Sequence, residues 1–352
     1  MKRVVILCVW LFSVVAGHAQ LSLDECRRLA RENYPEIRQY DLVHQTEQYN
    51  LSNAARAWIP QLAFSAQATW QTDAPNFPKE LTGMLAQQGL EIPGLRKDQY
   101  KVALELNQTI WDGGKSVADK RIARAEAAEQ KTMTDVDLYE LEGRVDDLYF
   151  GILLLDERIA QTNLTLNLLR SNLEKVRALQ RNGVAMQSDA DVLEAELLSV
   201  GQQLIQFESS CDSYRRMLGI FIGQKVGDRK LQRPSAVQPL SGESARPELA
   251  MFAAKIDRLT AQEKMVKSSS MPRLGFFAQG YYGYPGLDYM QSMMNSDWSW
   301  NAMLGVKLSW NFGAYYTQKN NLNKLRTSRQ QVEVQRDVFL FNMNLQAAQE
   351  NV

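Results

Sequence analysis

Four stretches of the chain alternate between apolar and polar residues, which is typical of β-strands with one apolar and one polar face. These stretches lie near 62–72, 100–111, 274–284 and 300–312. In the third, Phe277 and Tyr281 fall on the otherwise polar face. Strands of about 10 residues with aromatic residues near their ends are typical of transmembrane barrels. A soluble sandwich would show the same alternation, and four strands alone cannot close a barrel.

Long helical segments follow and precede these strands. Residues 115–180 repeat apolar positions at spacings of three and four, and 189–219 resume the pattern after a break. Such sustained spacing is typical of a coiled-coil seam, whereas a helix that only packs on a core is usually shorter. The first of these helices would be about 100 Å long. We predict a coiled-coil hairpin over 115–219 and a further single helix over 22–57. The two shorter helices, 189–219 and 22–57, should stack end to end and both pair with 115–180.

Two parts of the chain repeat each other with a constant offset of 212 positions. Pro-Glu-Ile at 35–37 returns as Pro-Glu-Leu at 247–249, and the strand entry at 60–67 returns at 272–279 with five identical residues. Each copy has the order helix, strand, loop, strand, helix. The sequence therefore predicts a tandem structural repeat.

The duplication divides the chain into a first repeat over 20–240 and a second over 246–352. The join contains prolines and glycine and is predicted to be a linker. The second repeat ends within a helix, so by analogy with the first we expect it to lack roughly 90–100 residues. The chain would then be either a fragment or a truncated product.

Residues 1–19 have the pattern of a secretory signal peptide, with a basic start, an apolar core and a small-residue cleavage site. No apolar run reaches the roughly 18 residues of a transmembrane helix. The mature chain keeps Cys26 and Cys211. They could form one disulfide, or they could be two small apolar residues on helices.

Charge and motif content argue against several function classes. The 40 Lys and Arg residues balance the 40 Asp and Glu residues, and no basic stripe indicates nucleic-acid binding. The segment 109–116 ends in Gly-Lys-Ser, but a P-loop requires glycine where Thr109 stands. His44 is the single histidine of the mature chain, and no zinc or hydrolase motif is present. We predict that the protein is not an enzyme and has no cofactor or metal.

Two short motifs, together with the features above, resemble the TolC-like outer-membrane efflux protein family over residues 21–352. The first is Leu-x-Gln-x-Ile-Trp-Asp-Gly-Gly-Lys at 106–115, and the second is Arg-x-Gly-x-x-x-x-Ser-Asp at 181–189. The helix end at Asn33-Tyr-Pro-Glu and the duplicated Pro-x-Leu strand entry add to the resemblance.

The resemblance implies an α+β membrane protein in the outer membrane. In such a homotrimer, each protomer gives four strands to a twelve-stranded transmembrane β-barrel and its helices to a coiled-coil periplasmic tunnel. The family supplies the passive exit duct of tripartite efflux pumps and type I secretion systems, with a periplasmic adaptor and an inner-membrane transporter. The alternative is a periplasmic adaptor, which also joins a coiled-coil hairpin to β-structure but lacks duplicated amphipathic strands.

Two sets of site residues are implied. The adaptor-docking tip consists of Gly183, Val184, Ala185, Met186, Ser188 and Asp189. The strand-to-helix joint consists of Trp111, Asp112, Gly113 and Gly114. From the residues themselves, Gly183 can adopt positive φ and end one helix, and Ser188 or Asp189 can cap the next. A plain hairpin turn is the alternative for the tip. The exported substrate, the pump type and the gate residues of the second repeat are not implied.

Overall fold

The computed structural model describes residues 20–89, 92–234 and 246–350. The predicted signal peptide and most of the predicted linker lie outside these ranges. The elements are α1 (Leu23–Asn33), a 3-10 helix (Pro35–Arg38), α2 (Gln39–Arg56), β1 (Gln61–Trp70), α3 (Lys79–Gln87), β2 (Asp98–Trp111), α4 (Lys115–Arg181), α5 (Gln187–Ile222), α6 (Pro247–Ser269), β3 (Arg273–Tyr284), α7 (Tyr289–Met294), β4 (Ser299–Ser309) and α8 (Gly313–Glu350). None of the described helices is long and apolar enough to cross a membrane.

The chain forms two compact units, each discontinuous in sequence. The helical unit comprises the chain up to Leu42 and Lys131–Met251, and the sheet unit comprises Val43–Gln130 and the chain from Phe252 onward. The boundaries fall within α2, α4 and α6. Each unit therefore draws on both of the predicted repeats, and the division into repeats stays a prediction.

The sheet unit contains one antiparallel sheet in the order β1-β2-β3-β4. The register places most apolar positions of the four strands on one face and most polar positions on the other, so the sheet has a largely apolar face and a more polar face. One apolar row is Leu62, Leu106, Ala278 and Leu304, and the adjacent row on the other face is Ala63, Glu105, Gln279 and Met303. The alternation along the sequence thus corresponds to two faces of a single sheet.

The last strand is shorter than predicted. It ends at Ser309 rather than 312, because the carbonyl groups of Asn311 and Phe312 accept hydrogen bonds from the N–H groups of Ala314 and Tyr315. These bonds belong to the first turn of α8. The alternation of apolar and polar residues extends to Phe312 in the sequence, but the backbone beyond Ser309 no longer forms a strand and leads into α8.

Phe277 and Tyr281 lie on the polar face of the sheet, as their positions predict. The ring of Phe277 covers Gly305, where a Cβ atom would lie only 3.0 Å from the ring. The Lys101 ammonium lies 4.5 Å from the centroid of the Tyr281 ring, in a cation–π contact. Both aromatic rings therefore have partners on neighbouring strands that compensate for their departure from the pattern.

The core of the helical unit lies along the predicted seam of α4. Its buried residues from this helix are Leu138, Leu141, Val145, Leu148, Tyr149 and Ile152. They pack with residues of α1 and α5, among them Ala30 and Leu218. The Tyr149 hydroxyl lies 2.7 Å from the carbonyl oxygen of Leu21 and 2.6 Å from that of Gln232, so its polar tip is satisfied within the core.

The single helix predicted over 22–57 is wrong. The chain leaves the helical conformation at Tyr34 (φ −71°, ψ 123°), passes through the 3-10 helix and resumes at Gln39. Pro35 causes the break, because proline disfavours helical geometry in the residue before it and has no N–H to donate.

Cys26 and Cys211 are both buried and both free, so the possible disulfide between them is not formed. Burial raises the pKa of the Cys26 thiol to about 12, with a further contribution from the Glu25 carboxylate. Burial also raises the pKa of the Cys211 thiol. Because the thiolate is the reactive form, burial disfavours a nucleophilic role for either residue. Cys26 is a packing group of the core, whereas the Cys211 thiol donates to the Asp156 carboxylate and accepts from the Arg215 Nε–H, each at 3.3 Å.

Candidate functional sites: the strand-to-helix joint and the hairpin tip

The strand-to-helix joint begins with a β-bulge at the end of β2. The pairing with β3 shifts between Thr109 and Trp111, so Ile110 has no partner residue. Asp112 follows, and its carboxylate accepts hydrogen bonds from the N–H groups of Gly114 (2.9 Å) and Ser116 (2.6 Å) and from the Ser116 hydroxyl. Asp112 therefore caps the N-terminus of α4.

The charge of Asp112 is stabilised by these contacts. The side chain is buried, and burial alone would raise the pKa of its carboxyl. The hydrogen bonds from Ser116 and Gly114 outweigh burial and hold the pKa of Asp112 below its ordinary value. The carboxylate also lies at the N-terminus of α4, where the positive end of the helix dipole stabilises its negative charge.

The two glycines of the joint are required for different reasons. Gly113 (φ 69°) and Gly114 (φ 85°) both adopt left-handed conformations, which other residues rarely tolerate. Gly113 is also tightly packed, since a Cβ atom there would lie 2.6 Å from the Cβ atom of Met271. Nothing lies within 4 Å of a Cβ atom at Gly114. The joint thus requires a left-handed backbone conformation at both glycines, but only Gly113 is also required by tight packing against a neighbouring residue.

The strand-to-helix joint packs against the connection between α6 and β3, where Ser270 is fully buried. The Ser270 hydroxyl donates to the carbonyl oxygen of Lys267 (2.9 Å) and accepts from the Gln318 amide (2.8 Å). The Trp310 indole N–H donates to the carbonyl oxygen of Ser270 (3.0 Å). Ser270 therefore ties the end of α6 to the connection between β4 and α8 and to α8 itself.

The hairpin tip begins with a Schellman motif at the end of α4. The N–H of Gly183 donates to the carbonyl of Gln180, and the N–H of Val184 donates to that of Leu179, both at 2.9 Å. Gly183 has a φ of 76°, the left-handed conformation that this motif requires.

The start of α5 differs from the prediction that Ser188 or Asp189 would be its N-cap. Met186 is the N-cap, and α5 begins at Gln187. Asp189 is instead the third helical residue, and its carboxylate accepts from the N–H of Met186 at 3.0 Å. An acidic group three residues into a helix can satisfy the free N–H of the cap, which is why the helix begins earlier.

The tip presents apolar side chains to solvent. Val184 and Met186 are each 74% exposed, and Ser188 is exposed as well. Exposed apolar groups at the end of a helical hairpin are typical of a contact surface. The structure thus brings together the six predicted tip residues in one turn, and separately the four predicted joint residues.

Comparison with known proteins identifies this arrangement. The model of the outer membrane efflux protein family matches residues 27–223, more than half of the chain. The chain belongs to the outer membrane efflux protein family. The matched segment contains both the joint and the tip. The protein is therefore a component of an outer-membrane efflux channel, located in the outer membrane, in a family of channel proteins rather than enzymes.

Solved structures of outer-membrane channels share the fold of this efflux protein. VceC of Vibrio cholerae is 15% identical with a TM-score of 0.66, and the match covers 91% of this chain and 75% of VceC. CmeC of Campylobacter jejuni is 14% identical with a TM-score of 0.62, and the match covers 91% and 68%. The open state of MtrE of Neisseria gonorrhoeae is 14% identical with a TM-score of 0.57, covering 89% and 68%. No curated protein sequence matches significantly. Neither the family match nor these solved structures support the alternative of a periplasmic adaptor.

Sequence reasoning did not identify Ser270 and Gln318 as parts of the joint region of the efflux protein. The duplicated proline at position 272 marked this connection, but the serines before it showed no periodicity that would single one out. The described residues contain no cluster of three or more His, Cys, Asp or Glu side chains that could hold a metal ion.

Proposed function

We propose that this protein assembles as a homotrimer whose three sheets close into a twelve-stranded barrel in the outer membrane. The observation that carries the proposal is the open sheet: among the described residues, the outer edges of β1 and β4 pair with no further strand. A hydrocarbon environment offers no partner to unpaired backbone groups, so membrane sheets must be closed. Copies of the same chain can supply the missing neighbours.

The exposed apolar face supports a membrane position for the sheet. Phe64 is 73% exposed, Trp300 82% and Leu304 75%, and all three lie on the same face. Strand lengths support it as well: β1, β3 and β4 have 10, 12 and 11 residues, close to the roughly 9–11 that a tilted strand needs to cross a bilayer.

The long helices would then form a periplasmic tunnel that continues the barrel, and the two repeats would contribute equivalent strand pairs to it. In this proposal the channel is passive and operates with a periplasmic adaptor and an inner-membrane transporter. The supporting observations are the seam of α4, which is packed against α1 and α5, and the membership of the family.

The oligomer and the pore can be tested together. The full chain, purified in detergent, should have the mass of a trimer by native mass spectrometry. After insertion into a planar lipid bilayer, it should conduct ions. A protein that remains monomeric at micromolar concentration and gives no conductance would contradict the proposal.

We further propose that the tip, 183–189, is the surface that docks the adaptor. The double variant Val184→Ser and Met186→Gln removes the exposed apolar surface and leaves Gly183 in place. We expect it to lose drug export in cells that depend on this channel, while the trimer persists. The variant Asn182→Ser, at a polar position of the same turn, is the matched control and should export normally. Normal export by the double variant would refute adaptor docking at the tip.

A further inference from the structure

The helical turns nearest to the sheet are strongly basic. The windows 115–124, 264–269 and 313–329, in α4, α6 and α8, contain ten Lys or Arg residues and a single acidic residue, Asp119. The ten are Lys115, Lys120, Arg121, Arg124, Lys264, Lys267, Lys319, Lys324, Arg326 and Arg329. Asp119 is neutralised by Lys115 at 2.9 Å, and Glu263 lies just outside the second window. The chain as a whole has no net charge, so this concentration is local.

A groove of about 340 Å³ lies among these basic turns, where α4 begins and α6 ends. Arg121, Lys264 and Lys267 line it, together with the apolar side chains of Val117 and Met271. None of the three cations forms an ion pair within the described residues. The nearby Asp112 carboxylate is not paired with any of them, since its oxygens accept hydrogen bonds from the first turn of α4. The groove therefore combines three cations that have no ion-pair partner among the described residues with an apolar wall.

The position of the groove matches the headgroup layer of a membrane that contains the sheet. Arg121 lies six residues after Lys115, the first residue of α4, or about 9 Å along the helix. The polar layer on each side of a bilayer is roughly 5–8 Å thick. Side chains on a helix tilt toward its N-terminus, so the long side chain of Arg121 extends from its backbone back toward this layer. Gly113 and Met271, which also line the groove, lie two residues from the ends of β2 and β3. The cations thus lie just beyond the apolar face, at the helical end of the strands.

We propose that this groove binds the phosphate of an anionic phospholipid headgroup, in the leaflet at the helical end of the sheet. The inference rests on the proposed membrane position of the strands. Arg and Lys bind phosphate oxygens through charge-assisted hydrogen bonds. Val117 and Met271 give the glycerol and the first acyl carbons an apolar contact that a free phosphate ion could not use. The remaining basic residues of the three windows attract anionic lipid to this level.

The test uses the full chain in dodecyl maltoside micelles, titrated with dioleoyl phosphatidylglycerol, with bound lipids counted by native mass spectrometry. Dioleoyl phosphatidylcholine is the neutral control, and inorganic phosphate is the competitor. The triple variant Arg121→Gln, Lys264→Gln and Lys267→Gln should bind phosphatidylglycerol on the order of 100-fold more weakly, at roughly fivefold per cation. The triple variant Arg170→Gln, Lys175→Gln and Arg181→Gln removes the same charge far along α4 and should bind like the parent.

Equal binding of the two lipids, or equal losses in both triple variants, would overturn the proposal. Displacement of the lipid by millimolar inorganic phosphate would overturn it as well, because the groove would then be a site for free anions. So would loss of the oligomer with unchanged lipid binding in the groove variant, which would mean that the cations pair with another copy. A parent that lacks conductance but binds phosphatidylglycerol selectively would refute the proposed channel alone.

Discussion

A pair of adjacent substitutions in β4 tests the proposed contact between the apolar face of the sheet and lipid. Leu304 lies at the centre of β4 on the apolar face, where it pairs with Ala278 and is 75% exposed. Met303 precedes it, lies on the polar face and pairs with Gln279. Arginine at either position adds the same charge at nearly the same depth. Only the face differs between the variants Leu304→Arg and Met303→Arg.

The expected difference follows from the depth of the site. An arginine on the lipid face near the middle of a bilayer costs about 2–4 kcal/mol per chain, or roughly 30- to 1,000-fold in the folding equilibrium. At Met303 the guanidinium would face a water-filled interior beside Gln279 and Glu105. There the cost should stay within about 0.5 kcal/mol, as for other surface substitutions.

The measurement is reversible unfolding by guanidinium from phosphatidylcholine vesicles, followed by tryptophan fluorescence. Equal destabilisation by both variants, or a greater loss with Met303→Arg, would refute the assignment of the faces. A soluble sandwich would also be destabilised by Leu304→Arg, but such a protein would fold without vesicles. The parent protein in vesicle-free buffer is therefore the control that separates the two interpretations.

Three further predictions concern the joint and the buried thiols. Gly114→Ala should cost about 1 kcal/mol for its left-handed backbone. Gly113→Ala should cost about 2–4 kcal/mol, because overpacking against the α6–β3 connection is added; equal losses in guanidinium unfolding would contradict this. Asp112→Asn should cost about 0.3–1 kcal/mol at pH 7, because asparagine caps a helix as well as aspartate but lacks the negative charge at the helix N-terminus. Since the folded pKa of Asp112 is lowered, its stabilisation is present above the unfolded value near 3.9 and is lost as the pH falls through the folded value. The difference from the parent should then vanish in acid, and a constant difference between pH 7 and pH 2 would contradict the role of the charge. Finally, N-ethylmaleimide at pH 7 should label Cys26 and Cys211 only after denaturation, and rapid labelling of the folded protein would show that the thiols are accessible.

Regular periodicity allowed the sheet and the core of the long helices to be predicted from the sequence. A strand alternates every second residue whatever lies beside it, so all four strands were found within about three residues at each end. The seam of α4 was equally visible, since each buried position is fixed by the helical repeat itself. Even the two exceptions, Phe277 and Tyr281, were placed on the correct face, because every second residue of a strand points to the same side of the sheet.

The parts that could not be predicted depend on contacts between distant residues or on backbone bonds at helix ends. The partner of Tyr281 is Lys101, far earlier in the chain, and no local pattern connects the two residues. Ser270 acquires its role from Trp310 and Gln318, which lie 40 and 48 residues later. The helix α5 begins early because the Asp189 carboxylate accepts a hydrogen bond from the N–H of Met186, three residues before it. Asp189 itself is therefore not the N-cap.

The assembly of several copies could not be predicted from the contacts within one chain, but the two open edges of the sheet bear on it. Each outer edge of the sheet leaves about half of its backbone N–H and C=O groups pointing away from the neighbouring strand. An edge of 10 residues in β1 or 11 in β4 would thus bring about 10 unpaired groups into hydrocarbon, each costing several kcal/mol. The sum is tens of kcal/mol, whereas a whole domain is stable by only about 5–15 kcal/mol. In the proposed barrel, pairing between β1 of one copy and β4 of another satisfies these groups, which a single copy cannot do.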